Sequence, residues 1–477
     1  MKKSVGYILS IGIISCIIQV CISGCANIIP PGGGPRDSIP PHLLIAVPKD
    51  SAINVNTTRI TLTFDEFIEV KDVQQNLIVS PFPKNTATVD YKLRNVSIRL
   101  RDSLEPNTTY SLNFGNSIRD VNEGNVFRNF TYVFSTGNHI DSNSFSGRVI
   151  LAETGKIDTT LIVVLHRNLN DTAIMRSKPR YYARVDGKGR FTFNYLPKGE
   201  FGIFVVPNDY SKKYDDSTKM FAFLDKPVVV DGKDTSTSSL VLYAYEEFKR
   251  KEKKSNSGTS AQPKAGNNKQ PVKEDKRLRY SIALDNGQQD ILNDSLHITF
   301  SRPLKVLDTS KFLLCDTFYK RTPAYHIIMD STATVVTIIH KWKPETPIRL
   351  VIAKSAAEDS AGVQLPKGDT LQFMSKREED YGSVKIRFRN LDMSRKPVLQ
   401  IVFSDQIIQS VPLITNDFTR KLFKPGDYEL RILYDTNGNG KWDPGSFKKR
   451  LQPERVDFIK QKLVVKPNWD SEPEIVL

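Results

Sequence analysis

The sequence predicts an all-β protein made of tandem β-sandwiches. Three observations lead there: apolar residues alternating with period two over short segments, turn residues between those segments, and an internal repeat relating the two halves of the chain. In RITLTFDEFIEV, which begins at Arg59, Ile60, Leu62 and Phe64 fall on one side, because successive strand side chains point to opposite faces. The same alternation recurs in NVSIRLRDSL, TYSLNFG and FTYVFST. Between these runs stand EPNT, RDVNEGN and VDGKGR, rich in the residues that set or tolerate turn conformations. Helical periodicity is scarce, with YEEFKRKEKK from Tyr245 as a short candidate. At 477 residues the chain is too long for a single core.

The N-terminus comes first in the chain and is read apart from the fold. Lys2 and Lys3 precede an apolar stretch from Tyr7 to Ile22, and small residues Ser23 and Gly24 stand directly before Cys25. That layout predicts a secretory signal over residues 1–24. The apolar run is short for a span of about 20 residues, and no stop-transfer flank follows. The ending Ile22-Ser23-Gly24-Cys25 resembles the lipobox of bacterial lipoproteins, which implies diacylglycerol on the Cys25 thiol and an N-terminal lipid anchor on a membrane. Each buried methylene contributes about 0.8 kcal/mol, so several acyl chains on one cysteine hold firmly. With Cys16 and Cys21 in the leader, only Cys315 of the four cysteines remains, leaving no internal disulfide. It is expected as a buried small hydrophobe.

Residues 25–41 are Pro- and Gly-rich and predict a tether. Two composition breaks and the repeat then divide the body into 42–138, 144–245, a basic linker over 246–276, 277–376 and 381–477. The linker is rich in Lys, Ser, Asn, Gln and Pro and is expected to be disordered. Its coil span of about 30 Å predicts halves that move semi-independently. In the repeat, ITLTFDEFIEVKD near Ile60 matches LHITFSRPLKVLD near Leu296, and LPKGEFGIFVV matches FKPGDYELRIL.

The stretch DSIPPHLLIAVPKDSAINVNTTRITLTFDEFIEV, followed by LEPNTTYSLNFGNSIRDVNEGN and TYVFSTG, resembles the SbsA-type bacterial Ig-like domain. Residues 277–376 are similar but lack the opening Pro-Pro. Residues 144–245 and 381–477, with Pro-Gly-aromatic strands, resemble transthyretin-like sandwiches. The whole chain resembles an Ig-like lipoprotein family of Bacteroidota. That resemblance implies a place at the outer membrane in the cell envelope and no enzymatic activity. Ala26-Asn27-Ile28-Ile29 follow the cysteine instead of acidic residues, leaving periplasm-facing and surface positions both open.

The net charge of +15 raises the question of nucleic acid. Much of the excess sits in the linker, the sandwich stretches carry no nucleic-acid motif, and an exported protein meets no genome, so no nucleic-acid partner is expected. A solvated basic surface resting on anionic lipid or polysaccharide fits better.

The sharpest chemical motif is Asp435-Thr436-Asn437-Gly438-Asn439-Gly440-Lys441-Trp442-Asp443. Asp435, Asn437, Asn439 and Asp443 occupy positions 1, 3, 5 and 9 of an EF-hand-like loop, the Lys441 carbonyl falls at position 7, and glycine stands at 6. Ser446 stands where a bidentate Glu belongs, so any structural Ca²⁺ would be weak, with Kd of about 10⁻⁴–10⁻³ M. A plain hairpin loop using Asn and Gly for left-handed positions reads the same residues equally well. No cofactor is required by either reading.

The histidines (His42, His139, His166, His297, His326, His340) show no ligand spacing. There is no GxSxG, P-loop or dinucleotide fingerprint. Neighbouring carboxylates at Asp65-Glu66-Glu69 and Asp215-Asp216 suit sheet edges. Trp342, Trp442 and Trp469 are candidates for a glycan platform. The leading expectation is a non-enzymatic lipoprotein scaffold with an envelope protein partner; the alternative is a carbohydrate-binding lipoprotein.

Overall fold

A computed structural model describes residues 37–232, 240–248 and 277–477. The leader, Cys25, most of the tether and linker residues 249–276 lie outside the described residues. The architecture is all-β, with short strands gathered into sheets around four hydrophobic cores.

In the first unit, strands Leu43–Val47, Arg59–Phe64, Asn95–Arg99 and Thr88–Lys92 form one antiparallel sheet. Ile78–Ser80, Thr109–Asn113 and Thr131–Ser135 form the facing sheet. Ile60, Leu62 and Phe64 are buried as their alternation predicts, packing with Val96, Ile98 and Phe134. The third unit repeats this order: Ser295–Phe300 lies second in its sheet, between Tyr280–Ile282 and Val335–Ile339. The sequence repeat is therefore a repeat of topology.

The second and fourth units share a different plan. Each places a long strand, Asn143–Leu151 or Gly382–Arg389, beside a late parallel strand, Val241–Ala244 or Glu474–Val476. Opposite it lies an antiparallel sheet centred on Leu161–His166 and Gly199–Pro207 in one unit, and on Pro397–Phe403 and Gly426–Tyr434 in the other.

Leu161–His166 is buried at all six positions. Leu161, Val163 and Leu165 enter the core between the sheets, whereas Ile162 and Val164 face outward into a second apolar cluster. A strand buried on both faces needs a cover on each. Part of the outer cover is the unit's own, from Ile174, Tyr214 and Phe221, and part comes from other units. Phe447 of the fourth unit sits among Phe204, Tyr214, Phe221 and Phe223 with ring centroids 5.0–6.2 Å away. Phe82 of the first unit meets Tyr182 edge-on at 5.3 Å.

Polar contacts pin both junctions. Arg180 makes a two-pronged pair with Glu105 at 2.6 and 2.5 Å, and the Phe82 amide donates to the Arg180 carbonyl at 2.8 Å. Lys156 pairs with Asp405 at 2.7 Å, and Arg450 with Asp171. A Cβ at Gly155 would lie 2.6 Å from the Phe458 ring, and one at Gly445 would lie 2.6 Å from the Tyr245 ring. Both glycines permit the close approach. Between the third and fourth units the Tyr381 hydroxyl donates to Asp290 at 2.6 Å.

These contacts correct the expectation of semi-independent halves. Whatever lies between residues 248 and 277, aromatic packing joins the second unit to the fourth. Tyr245, the start of the helix candidate, makes an isolated bridge to Phe221 instead, and the described residues 246–248 are not helical.

Replacing Phe447 by Ala removes a ring from a closed aromatic cluster and is expected to cost about 3 kcal/mol. Hydrogen exchange should rise in Leu161–His166 and leave the far core at Ile60–Phe64 unchanged. Unaltered exchange in Leu161–His166 would show that Phe447 does not hold that strand.

Candidate functional site

The Asp435–Asp443 loop leaves the end of a hairpin. Strands Gly426–Tyr434 and Val456–Val465 pair up to Leu433 opposite Val456, and residues 435–455 form the excursion between them. Asp435 is only 2% exposed. Its Oδ1 accepts from the amides of Gly438 at 2.6 Å and Asn439 at 3.2 Å, and its Oδ2 from Gly440 at 2.6 Å. Gly438 and Gly440 have φ of 78° and 75°, the left-handed region where glycine carries no Cβ penalty. Their positions in the sequence are explained by that turn alone.

Of the predicted ligands, Asn437 and Asn439 meet Asp443 through their side-chain nitrogens, while Asp435 turns to backbone amides. Asn437 and Asn439 turn their side-chain amides onto Asp443 Oδ2 at 2.5 and 2.7 Å. The Lys441 amide donates to Asn439 Oδ1 at 2.7 Å. Ser446 does not take part; it bridges to Leu451. The residue that sequence spacing missed is Glu454. Its Oε1 accepts from the Thr436 amide at 2.7 Å and its Oε2 from the Asp443 amide at 3.1 Å. Burial, with the charges of Asp435 and Asp443 adding, holds its carboxyl above the usual range. The signal for Glu454 was the returning strand, since an antiparallel hairpin carries the residues before Val456 back beside Asp435.

As arranged, the loop is closed by its own hydrogen bonds. The two Asn amides donate into the space that a cation would share with Asp443. Among the described residues no group of three or more His, Cys, Asp and Glu is placed to hold a metal ion. The visible work of the loop is positional. Trp442 Nε1 donates to the Glu454 carbonyl at 3.0 Å, and the chain then runs on to Phe447 in the second unit's outer cluster.

The other candidates stay apart. Asp65 takes the His42 amide at 2.8 Å, and Asp215 pairs with Lys219, which also holds Asp209. Trp342 is buried against Phe373, Trp442 packs between two apolar clusters, and Trp469 is 64% exposed. Trp342 lies in the third unit and the other two in the fourth, and with Trp342 and Trp442 packed into apolar clusters they form no common platform. Cys315 is buried and unpaired. His166 is 3% exposed, edge-on to Phe204, and burial pushes its pKa down to about 4.

Comparison with known proteins adds one assignment. The family model of the bacterial Ig-like domain matches residues 37–136. That stretch, about a fifth of the chain, is the first unit. No curated protein matches the chain. Among solved structures, the major pilin subunit BcpA of Bacillus cereus is 12% identical, covering 70% of this chain and 99% of that one, with a TM-score of 0.17. The S-layer protein rSbsC(31-844) is 10% identical over 92% of this chain and 54% of that one, at 0.16. An L,D-transpeptidase from Mycobacterium smegmatis is 12% identical over 31% and 76%, at 0.15. Likeness that slight assigns no role to this chain.

Two outcomes are expected. Asp435→Ala strands three backbone donors and should cost about 1–3 kcal/mol, while millimolar Ca²⁺ should leave the parent Tm unchanged. A calcium-dependent rise that disappears in Asp435→Ala would assign the loop to the metal instead. For His166, the unfolded chain takes up the proton near pH 6.5 and the folded one only near 4, so stability falls as pH drops through that window, by up to about 3 kcal/mol. Replacement by Phe should flatten that part of the Tm–pH curve; an unchanged slope would refute it.

Proposed function

We propose that this chain is a lipid-anchored lipoprotein of the bacterial cell envelope, at the outer membrane, whose four units act as a non-enzymatic scaffold for an envelope protein partner. The observation that carries the scaffold reading is the Phe447 junction. Apolar packing between units spends free energy on fixing their relative arrangement, which a set of independently mobile modules does not need. A fixed arrangement keeps a binding surface at a set distance from its anchor.

The anchor rests on residues 1–25. The basic start, the apolar run and the small residues before Cys25 have the physical layout that lipoprotein processing requires, and the Pro- and Gly-rich stretch after it suits a spacer. No catalytic role is assigned, because the residues that might carry one lie apart or are spent on turns.

Mass spectrometry of native protein should find diacylglycerol on an N-terminal Cys25, and Cys25→Ala should move the protein from the membrane fraction to the soluble one. An unmodified Cys25 in membrane-bound protein would overturn the anchor. Cross-linking in detergent-solubilised membranes should recover one stoichiometric protein partner.

A further inference from the structure

The junction between the first and second units opens a cleft of about 500 Å³, within the size range of binding pockets for small ligands. Four cationic side chains line it: Lys84 and Arg101 from the first unit, Lys178 and Lys212 from the second. Among its described lining residues there is no carboxylate. The nearest acids are committed elsewhere. Asp102 accepts from the backbone amides of Lys84 and Asn85 at 2.7 and 3.1 Å. Asp209 is held by Lys219 at 2.5 Å.

The cations are positioned by aromatic rings. Lys212 Nζ lies 4.9 Å from the Tyr182 ring centre and donates to Asn208 at 2.7 Å. Lys178 Nζ lies 5.6 Å from the Phe82 ring centre and 5.5 Å from that of Tyr210. Tyr210 itself is 92% exposed. Burial holds the Lys212 ammonium below its usual range, against the opposing charge of Asp209 and with the charges of Arg184 and Lys178 adding. Like charges gathered in one cleft repel one another, and an anion in the cleft relieves that repulsion.

The cleft continues into a trough of about 530 Å³ that shares Gln74, Tyr182, Tyr210 and Lys212 with it. Its wall adds Gln75, Asn76, Asn208 and Arg184, together with the Asp209 carboxylate that Lys219 holds. Planar amides suit hydroxyl groups, ammonium and guanidinium groups suit carboxylates, and an exposed tyrosine face suits a sugar ring. A bare anion would use only the cations; an acyl chain would use neither the amides nor the cations.

We propose that the junction of the first and second units binds an acidic saccharide bearing carboxylates, with Lys84, Arg101, Lys178 and Lys212 holding the acid groups and Tyr210 stacking on a ring. This site is independent of the lipid anchor and of the scaffold role, so either can fail without the other.

The test uses the full chain in detergent and a fluorescent hexagalacturonate, with the fully methyl-esterified hexamer as the uncharged control. The parent should bind the acid form, lose affinity as ionic strength rises, and show no binding of the ester. Lys178→Glu should weaken binding about tenfold or more, Lys178→Arg should retain it, and Tyr210→Ala should weaken it about fivefold. Thermal melts of Lys178→Glu and Tyr210→Ala should match the parent, since both side chains are exposed. The proposal is overturned by equal binding of acid and ester, by a parent that binds neither, or by full binding in Lys178→Glu. It is also overturned if inorganic phosphate or phosphatidylglycerol vesicles bind with the same dependence on Lys178 and none on Tyr210, which would make this a simple anion or lipid site.

Discussion

The arrangement of the chain depends on one strand with no solvent face. In Leu161–His166 the inner side chains fill a sandwich core and the outer ones, Ile162 and Val164, still need cover. Leaving two aliphatic side chains and the surrounding Phe204, Phe221 and Phe223 in water would cost several kcal/mol at about 25 cal/mol per Å². Phe447 from more than two hundred residues away supplies part of that cover, and Phe82 supplies another part. The second unit is thus the hub to which its neighbours attach.

That constraint also explains the loop at Asp435. The second and fourth units share a plan, and both send out an excursion after their long central strand, at Pro207 and at Tyr434. In the second unit the excursion brings Tyr214 and Phe221 together, ring on ring at 3.9 Å. In the fourth it brings Phe447 onto that stack. Corresponding parts of the repeat have diverged into socket and plug. The Asp435 turn, Glu454 and Trp442 stiffen the stem that carries the plug, which gives the Asp- and Asn-rich loop a structural use whether or not it ever takes a cation.

The junction of the first and second units has a different character. Arg180 and Glu105 close one side with a paired charge, whereas Lys178 and Lys212 face the other with rings beneath them, and the acid nearby, Asp209, is held by Lys219. Satisfied charge marks the part that holds the units together; unsatisfied like charge marks the part left open. In a chain with 68 basic and 53 acidic residues, placement and not abundance separates the two.

Local patterns decided the strands. Alternation at Ile60, Leu62 and Phe64, the glycines at 438 and 440, and the repeat near Leu296 each act over a few residues, and each is legible in the sequence because backbone geometry imposes a fixed period or a fixed φ. That Asp435, Asn437, Asn439 and Asp443 share one tight loop was legible for the same reason. Glu454, Phe447 and the cluster around Lys212 were not. Each depends on which residues from distant segments meet once the sandwiches pack, and a chain carries no local mark of its future neighbour. The strand at Leu161 is apolar at consecutive positions; only the tertiary structure decided that its second face would be covered in part by another unit.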